Sequence, residues 1–208
     1  MTDRLSHETL VGVLDVGIGN VESVVNALLQ ENILAESVET YREDKHAVLV
    51  LPGVGHWSRM QQAVIQSDLM ENLAFHLQKG GALVGICLGM QILGRKSAEG
   101  PGGGLSVLDF EVTDICQGSG GPNIGWAEVQ PSKDFERQED ASGPFYFMHD
   151  YGLIYSGQDF VKSYYLNDSG TKVAAEIRSG NVAGFQFHPE RSLAQGRHKL
   201  AQTIRDMV

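Results

Sequence analysis

Three short apolar runs, Val11–Val16 (VGVLDV), Ala47–Leu51 (AVLVL) and Ala82–Ile86 (ALVGI), constrain the fold more than any other feature. Each is rich in β-branched residues and apolar at consecutive positions, so both faces of the strand it forms must be covered. Helical patterns lie between the runs. Val21, Val24, Val25, Leu28 and Leu29 recur at helical spacing behind Asn20, a residue suited to accept from the free N–H groups of a first turn. Asp68 with Glu71 reads as an N-terminal capping pattern for a helix carrying Leu69, Leu73 and Leu77, and Gly80-Gly81 stops it. Buried strands alternating with helices belong to a parallel sheet covered on both sides.

The middle of the chain, residues 100–143, is rich in Gly, Ser and acidic residues. Its weak alternation (LDFEVTDI) suggests antiparallel strands and loops. Strand-like runs return at Phe145–Met148, Val173–Ile177 and Val182–Phe187, and a final helix starts near Leu193. No repeat or linker divides the chain. The expectation is therefore a polar lead-in over 1–10 and one α/β domain over 11–208, with a mixed, mostly parallel central sheet and helices on both faces.

A formal net charge of −10 repels phosphate backbones and anionic membrane surfaces, which argues against nucleic-acid or membrane binding. The longest nearly uncharged apolar run, Ala82 to Gly94, is 13 residues, short of the roughly 20 that a membrane span needs. The first ten residues contain no apolar signal core, so a cytoplasmic location is expected. Two cysteines, Cys87 and Cys116, make no disulfide framework.

Cys87 is the informative one. It joins an apolar strand to a helix, with Gly85 and Gly89 two residues to either side. That is the pattern of a nucleophile elbow, and the helix start beneath it favours a thiolate. A small hydrophobe closing a strand would look the same locally. Among seven histidines, His188 ends an apolar strand and is followed by Pro189-Glu190. In extended backbone, residues i and i+2 point the same way, so Glu190 can orient the His188 ring at the strand end. A thiol, a base and an orienting carboxylate form a nucleophilic set. Pro52-Gly53-Val54-Gly55 reads either as a plain turn or as backbone N–H groups that share an oxyanion with the N–H of Leu88. Gly17-x-Gly19-x-x-Glu22 lacks the third glycine of a dinucleotide fingerprint, Gly102-Gly103-Gly104 lacks the residues of a P-loop, and no cluster has metal-ligand spacing. No cofactor or metal is expected.

Together, GICLGMQ and QFHPE resemble the class I (triad) glutamine amidotransferases. DVGIGNVESV, LPGVGHW, PNIGWAEV and FQFHPERS narrow the resemblance to the glutaminase subunits of imidazole glycerol phosphate synthase, over nearly the whole chain from Val11. The resemblance implies a flavodoxin-like fold with Cys87 as nucleophile, His188 as general base and acid, and Glu190 as its orienter. Val54, Gly55, Leu88 and Gln91 match positions around the L-glutamine substrate. It further implies a heterodimer with a (β/α)8-barrel cyclase subunit, which receives the ammonia, with Asn123 and Trp126 on the docking side.

Two segments depart from the family pattern. Pro122-Asn123-Ile124-Gly125-Trp126-Ala127 stands where Pro-His-Met/Ile-Gly-Trp-Asn is usual, and His149-Asp150-Tyr151 where His-Ser/Thr-Tyr is usual. A paralogue supplying ammonia to a different synthase would keep the triad and drift in these places. A stand-alone thiol hydrolase and a catalytically silent homologue are the other readings, and the complete Cys-His-Glu set argues against the silent one.

Overall fold

The three apolar runs form strands β1 (Val11–Leu14), β3 (Val48–Gly53) and β4 (Ala82–Cys87), buried at every position. The computed structural model describes residues 10–39, 45–66, 68–116, 122–132 and 142–208. The lead-in expected over 1–10 thus lies, except for Leu10, outside the described residues.

Alternation along the strands divides the core in two. Val11, Val13, Val48, Val50, Val84 and Ile86 pack on one side with α1 (Val21–Gln30) and α5 (Leu193–Arg205). Leu49, Leu51 and Leu83 pack on the other with α2 (Trp57–Gln66) and α3 (Leu69–Gln78). Each such fully buried aliphatic side chain stabilises the fold by about 1.5–3 kcal/mol relative to exposure.

The remaining strands are β2 (Ala35–Val38), β5 (Lys96–Ser97), β6 (Gly100–Gly103), β7 (Glu111–Asp114), β8 (Ile124–Pro131), β9 (Gly143–Met148), β10 (Tyr151–Gly152), β11 (Val161–Leu166), β12 (Lys172–Ser179) and β13 (Val182–Phe185). The large sheet runs β2-β1-β3-β4-β13-β12-β11-β8-β9. From β2 to β13 the neighbours are parallel, and from β13 to β9 they are antiparallel. The expected α/β architecture with helices on both faces is present, and the 2-1-3-4 start is the doubly wound order of flavodoxin-like sheets. A smaller sheet has the order β10-β7-β5-β6, and the short helix α4 (Leu88–Gln91) follows β4 directly.

Asn20 caps α1 as expected, its side-chain oxygen accepting from the Ser23 N–H at 3.3 Å. Asp68 does not act as expected. It precedes α3 in a left-handed conformation, φ 53°, and makes no side-chain capping bond. That backbone differs from the extended one usual for a residue whose side chain caps a first turn. Among the described residues, no helix is long and apolar enough to cross a membrane.

Candidate active site

The site begins at the carboxyl end of β4, where α/β sheets present their ligand crevice. Cys87 leaves the strand at φ 54°, ψ −110°, and α4 starts at the next residue. A non-glycine residue with positive φ costs about 1–3 kcal/mol and persists only where its surroundings impose it. Here the glycines impose it. A Cβ at Gly89 would collide with the Leu51 carbonyl oxygen, and one at Gly85 with the Gly89 carbonyl. The backbones of β3, β4 and α4 therefore approach more closely than any side chain permits, and the turn can close only with Cys87 at its apex. Cys87 is 4% exposed, and its Sγ lies 3.8 Å from the Met148 carbonyl oxygen and 3.8 Å from Gln186 Nε2.

His188 arrives from the neighbouring strand. Its backbone N–H donates to the Tyr146 carbonyl at 2.9 Å, and the Ser192 hydroxyl donates to the His188 carbonyl at 2.7 Å. Ser192 Oγ also accepts from the Tyr146 N–H at 2.9 Å, so one hydroxyl fastens the histidine loop to β9. The His188 ring donates from Nδ1 to Glu190 Oε1 at 2.9 Å, with both side chains almost fully buried. The route to that pair differs from the extended one expected from sequence. β13 stops at Phe185, and Pro189–Arg191 form a single 3-10 turn. The fixed φ of Pro189 starts the turn, and the turn rather than strand alternation brings Glu190 back beneath His188.

With Nδ1 engaged by Glu190, Nε2 is the nitrogen left to face the sulfur, and it is buried without another polar partner among the described residues. Burial opposes a charge on the ring, but the hydrogen-bonding influence of Cys87 and then of Glu190 outweighs it. Together they push the His188 pKa up to about 10. A thiolate at Cys87 and the Glu190 carboxylate thus both favour the charged form of the ring.

An open cleft of about 340 Å³, solvent-filled mouth included, lies over Cys87. Val54, Gly55, Leu88 and Gln91, the positions expected around the substrate, all line it. So do Glu99 and Met148, which sequence reasoning did not single out, and His149-Asp150-Tyr151, one of the two segments that depart from the family pattern. Glu99 fixes its carboxylate by accepting from the Trp57 N–H at 2.8 Å. His149 is buried, and desolvation holds its pKa down to about 4 although the Tyr151 carbonyl works against it. Its Nδ1 faces the Tyr151 carbonyl at 2.8 Å, so that nitrogen carries the proton. Nε2 then accepts from Asn123 Nδ2 at 3.3 Å and the Tyr165 hydroxyl at 3.2 Å.

The two residues expected on the docking side separate. The Asn123 side chain turns inward to His149 and to Tyr165 at 3.0 Å, and its backbone N–H donates to Asp150 Oδ1 at 3.2 Å. The two departures from the family pattern thus touch each other. Trp126 points outward, 51% exposed, next to the 56%-exposed Ile124. Its ring meets Tyr146 edge-on at 6.1 Å, and the Arg191 guanidinium lies 4.8 Å over the Tyr146 ring.

The family profile of glutamine amidotransferase class-I matches residues 12–206. The imidazole glycerol phosphate synthase subunit HisH of Thermotoga maritima is 31% identical over 200 residues, covering 93% of this chain and 96% of that protein. The HisH subunit of Aquifex aeolicus is 36% identical over 189 residues, 88% of this chain and 90% of that one. The chloroplastic imidazole glycerol phosphate synthase hisHF of Arabidopsis thaliana is 35% identical over 194 residues, which are 90% of this chain but 32% of the longer plant protein. Among solved structures, PurLQS from Thermotoga maritima superposes with a TM-score of 0.74 at 18% identity over 97% of this chain and 100% of that one. A structure described as a glutamine amidotransferase gives 0.71 at 20% identity, over 95% and 97%. The chain belongs to the class-I glutamine amidotransferase family, in its branch of imidazole glycerol phosphate synthase HisH subunits.

Proposed function

We propose that this chain hydrolyses L-glutamine to glutamate and ammonia through Cys87, His188 and Glu190, and passes the ammonia to a (β/α)8-barrel cyclase subunit in histidine biosynthesis. The observation that carries the reading is the strained Cys87 at the base of an open cleft, with the His188–Glu190 pair behind it.

The Cys87 thiolate attacks the carboxamide carbon, and the N–H groups of Leu88 and the Val54 loop receive the oxyanion. His188, charged and aligned by Glu190, gives its proton to the departing nitrogen, and ammonia leaves. A γ-glutamyl thioester remains on Cys87. Neutral His188 then takes a proton from water, the resulting hydroxide attacks the thioester, and glutamate departs as the thiolate and imidazolium are restored. Gln91 and Gly55 shape the pocket, and the anchored Glu99 carboxylate suits the α-ammonium of the substrate. Ammonia in water at neutral pH is mostly protonated and not nucleophilic, so enclosed transfer to the partner is required. The exposed Ile124–Trp126 edge and Arg191 supply an aromatic and cationic docking surface for it. The synthase would then form imidazole glycerol phosphate and the aminoimidazole carboxamide ribotide by-product.

A second reading keeps the glutaminase and changes the recipient of the ammonia to another synthase, for example in sugar or surface-polysaccharide biosynthesis. The contact between Asn123 and Asp150, both departures from the family pattern, favours it.

Acid quenching during glutamine turnover, followed by peptide mass spectrometry, tests the chemistry. A glutamyl group on the Cys87 peptide is expected. Glutamate accumulating while Cys87 stays unmodified would remove it from the mechanism.

A further inference from the structure

Gln186 is fully buried between Phe185 and Phe187, yet the mechanism above gives it no task. Just past the end of β13, both phenylalanines pack into the α1–α5 side of the core, while the Gln186 amide reaches Gln91 of α4. Its orientation follows from a chain of contacts that begins at a group able only to accept. The Tyr151 carbonyl receives Gln91 at 2.7 Å, so the Gln91 atom facing it is the amide nitrogen. The same nitrogen lies 3.2 Å from the end of Gln186, whose facing atom must therefore be the oxygen. That leaves Gln186 Nε2 as the atom 3.8 Å from Cys87 Sγ. The Gln186 backbone N–H, bonded to the Ala175 carbonyl at 2.9 Å, fixes the base of the side chain.

We infer that Gln186 is a thiolate-supporting residue. Its amide is forced by Gln91 and the Tyr151 carbonyl to point an N–H at the Cys87 sulfur. The anchor extends further. The Tyr151 carbonyl also accepts from His149, which Asn123 and Tyr165 hold from behind. A run of hydrogen bonds thus joins Asn123, beside the exposed β8 edge, to the reacting sulfur. A neutral donor stabilises the thiolate over the thiol because a charged acceptor takes the stronger hydrogen bond. It complements His188, since it holds no proton that the reaction consumes.

The inference rests on Cys87 being the nucleophile, and its test does not need turnover. Alkylation of full-length protein by iodoacetamide is followed against pH on the Cys87 peptide by mass spectrometry, in wild type, Gln186→Met and Gln186→Glu. The other titrating groups around the sulfur are His188 with Glu190, the cleft residues Glu99, His149, Asp150 and Tyr151, and Tyr165. All remain in place in each variant. The midpoint of the profile is expected to rise by about one pH unit in Gln186→Met, with about tenfold slower alkylation below it and an unchanged plateau at high pH. Gln186→Glu keeps the shape and sets a carboxylate against the sulfur, so its midpoint should rise further. A Gln186→Glu profile that superimposes on wild type in folded protein overturns the inference, as does a plateau that falls with no shift of midpoint. Thioester trapping in wild type separates this from failure of the proposed function: glutamate release with no glutamyl group on the Cys87 peptide would end that reading and leave the alkylation profiles as they are.

Discussion

His188 and Glu190 are joined Nδ1 to Oε1 at 2.9 Å, with side chains 2% and 3% exposed, by one 3-10 turn that Pro189 begins. The pair is short, dry and local. Its strength therefore depends little on the rest of the fold, while its position depends on Ser192 fastening the loop to β9.

Replacing Glu190 by Gln keeps the shape and removes the charge that aligns and charges the ring. Glutamate release is expected to fall about 10²–10⁴-fold. Stability changes in parallel. The raised pKa of His188 means that its contribution is complete below pH 6.5, the unfolded value, and is lost as pH rises towards about 10. Thermal melting of wild type should therefore drop across that window, and the drop should be smaller in Glu190→Gln.

His149 predicts the opposite window. It is held neutral by burial, and its pKa lies near 4. Below pH 6.5 the unfolded chain binds a proton that the fold refuses. Stability present above pH 6.5 is then lost towards pH 4, by up to about 3 kcal/mol. Urea midpoints for wild type and His149→Gln between pH 7 and 4 check this, and the variant should show the flatter dependence.

Gly89→Val should cost about 4 kcal/mol or more and abolish glutaminase activity, because the new side chain meets the Leu51 carbonyl with no room to move. Gly80→Ala, where φ is 88° and nothing lies near the added carbon, should cost only about 1–2 kcal/mol from backbone strain. Equal losses in the two urea titrations would mean that the close approach at Gly89 does not hold the turn.

Trp126→Ala should leave folding stability within about 1 kcal/mol, since half of the ring is exposed. It should weaken docking to the cyclase by about 2 kcal/mol, roughly thirtyfold in Kd, as expected for a central aromatic anchor. Calorimetric titration of the two proteins measures it.

The parallel half of the sheet is legible in the sequence because β1, β3 and β4 are buried on both faces and carry the signal residue by residue. Cys87 is legible because the two glycines that let its turn close stand two residues to either side of it, although the contact that keeps Gly89 small is with the distant Leu51 carbonyl. Glu99 and Gln186 are not. Each matters through a partner roughly 40–100 residues away in sequence, and local pattern contains no trace of such contacts. Gln186 did leave one signal, a polar residue between two core phenylalanines. Asp68 misled because its type suits a cap while its left-handed backbone does not.

The most direct measurement is glutamate release from glutamine by the purified chain, alone and with the barrel cyclase and its nucleotide substrate, in wild type and Cys87→Ala. The account predicts slow release alone, strong activation by the cyclase with its substrate, and none from a folded Cys87→Ala protein. Release that persists in Cys87→Ala would contradict it.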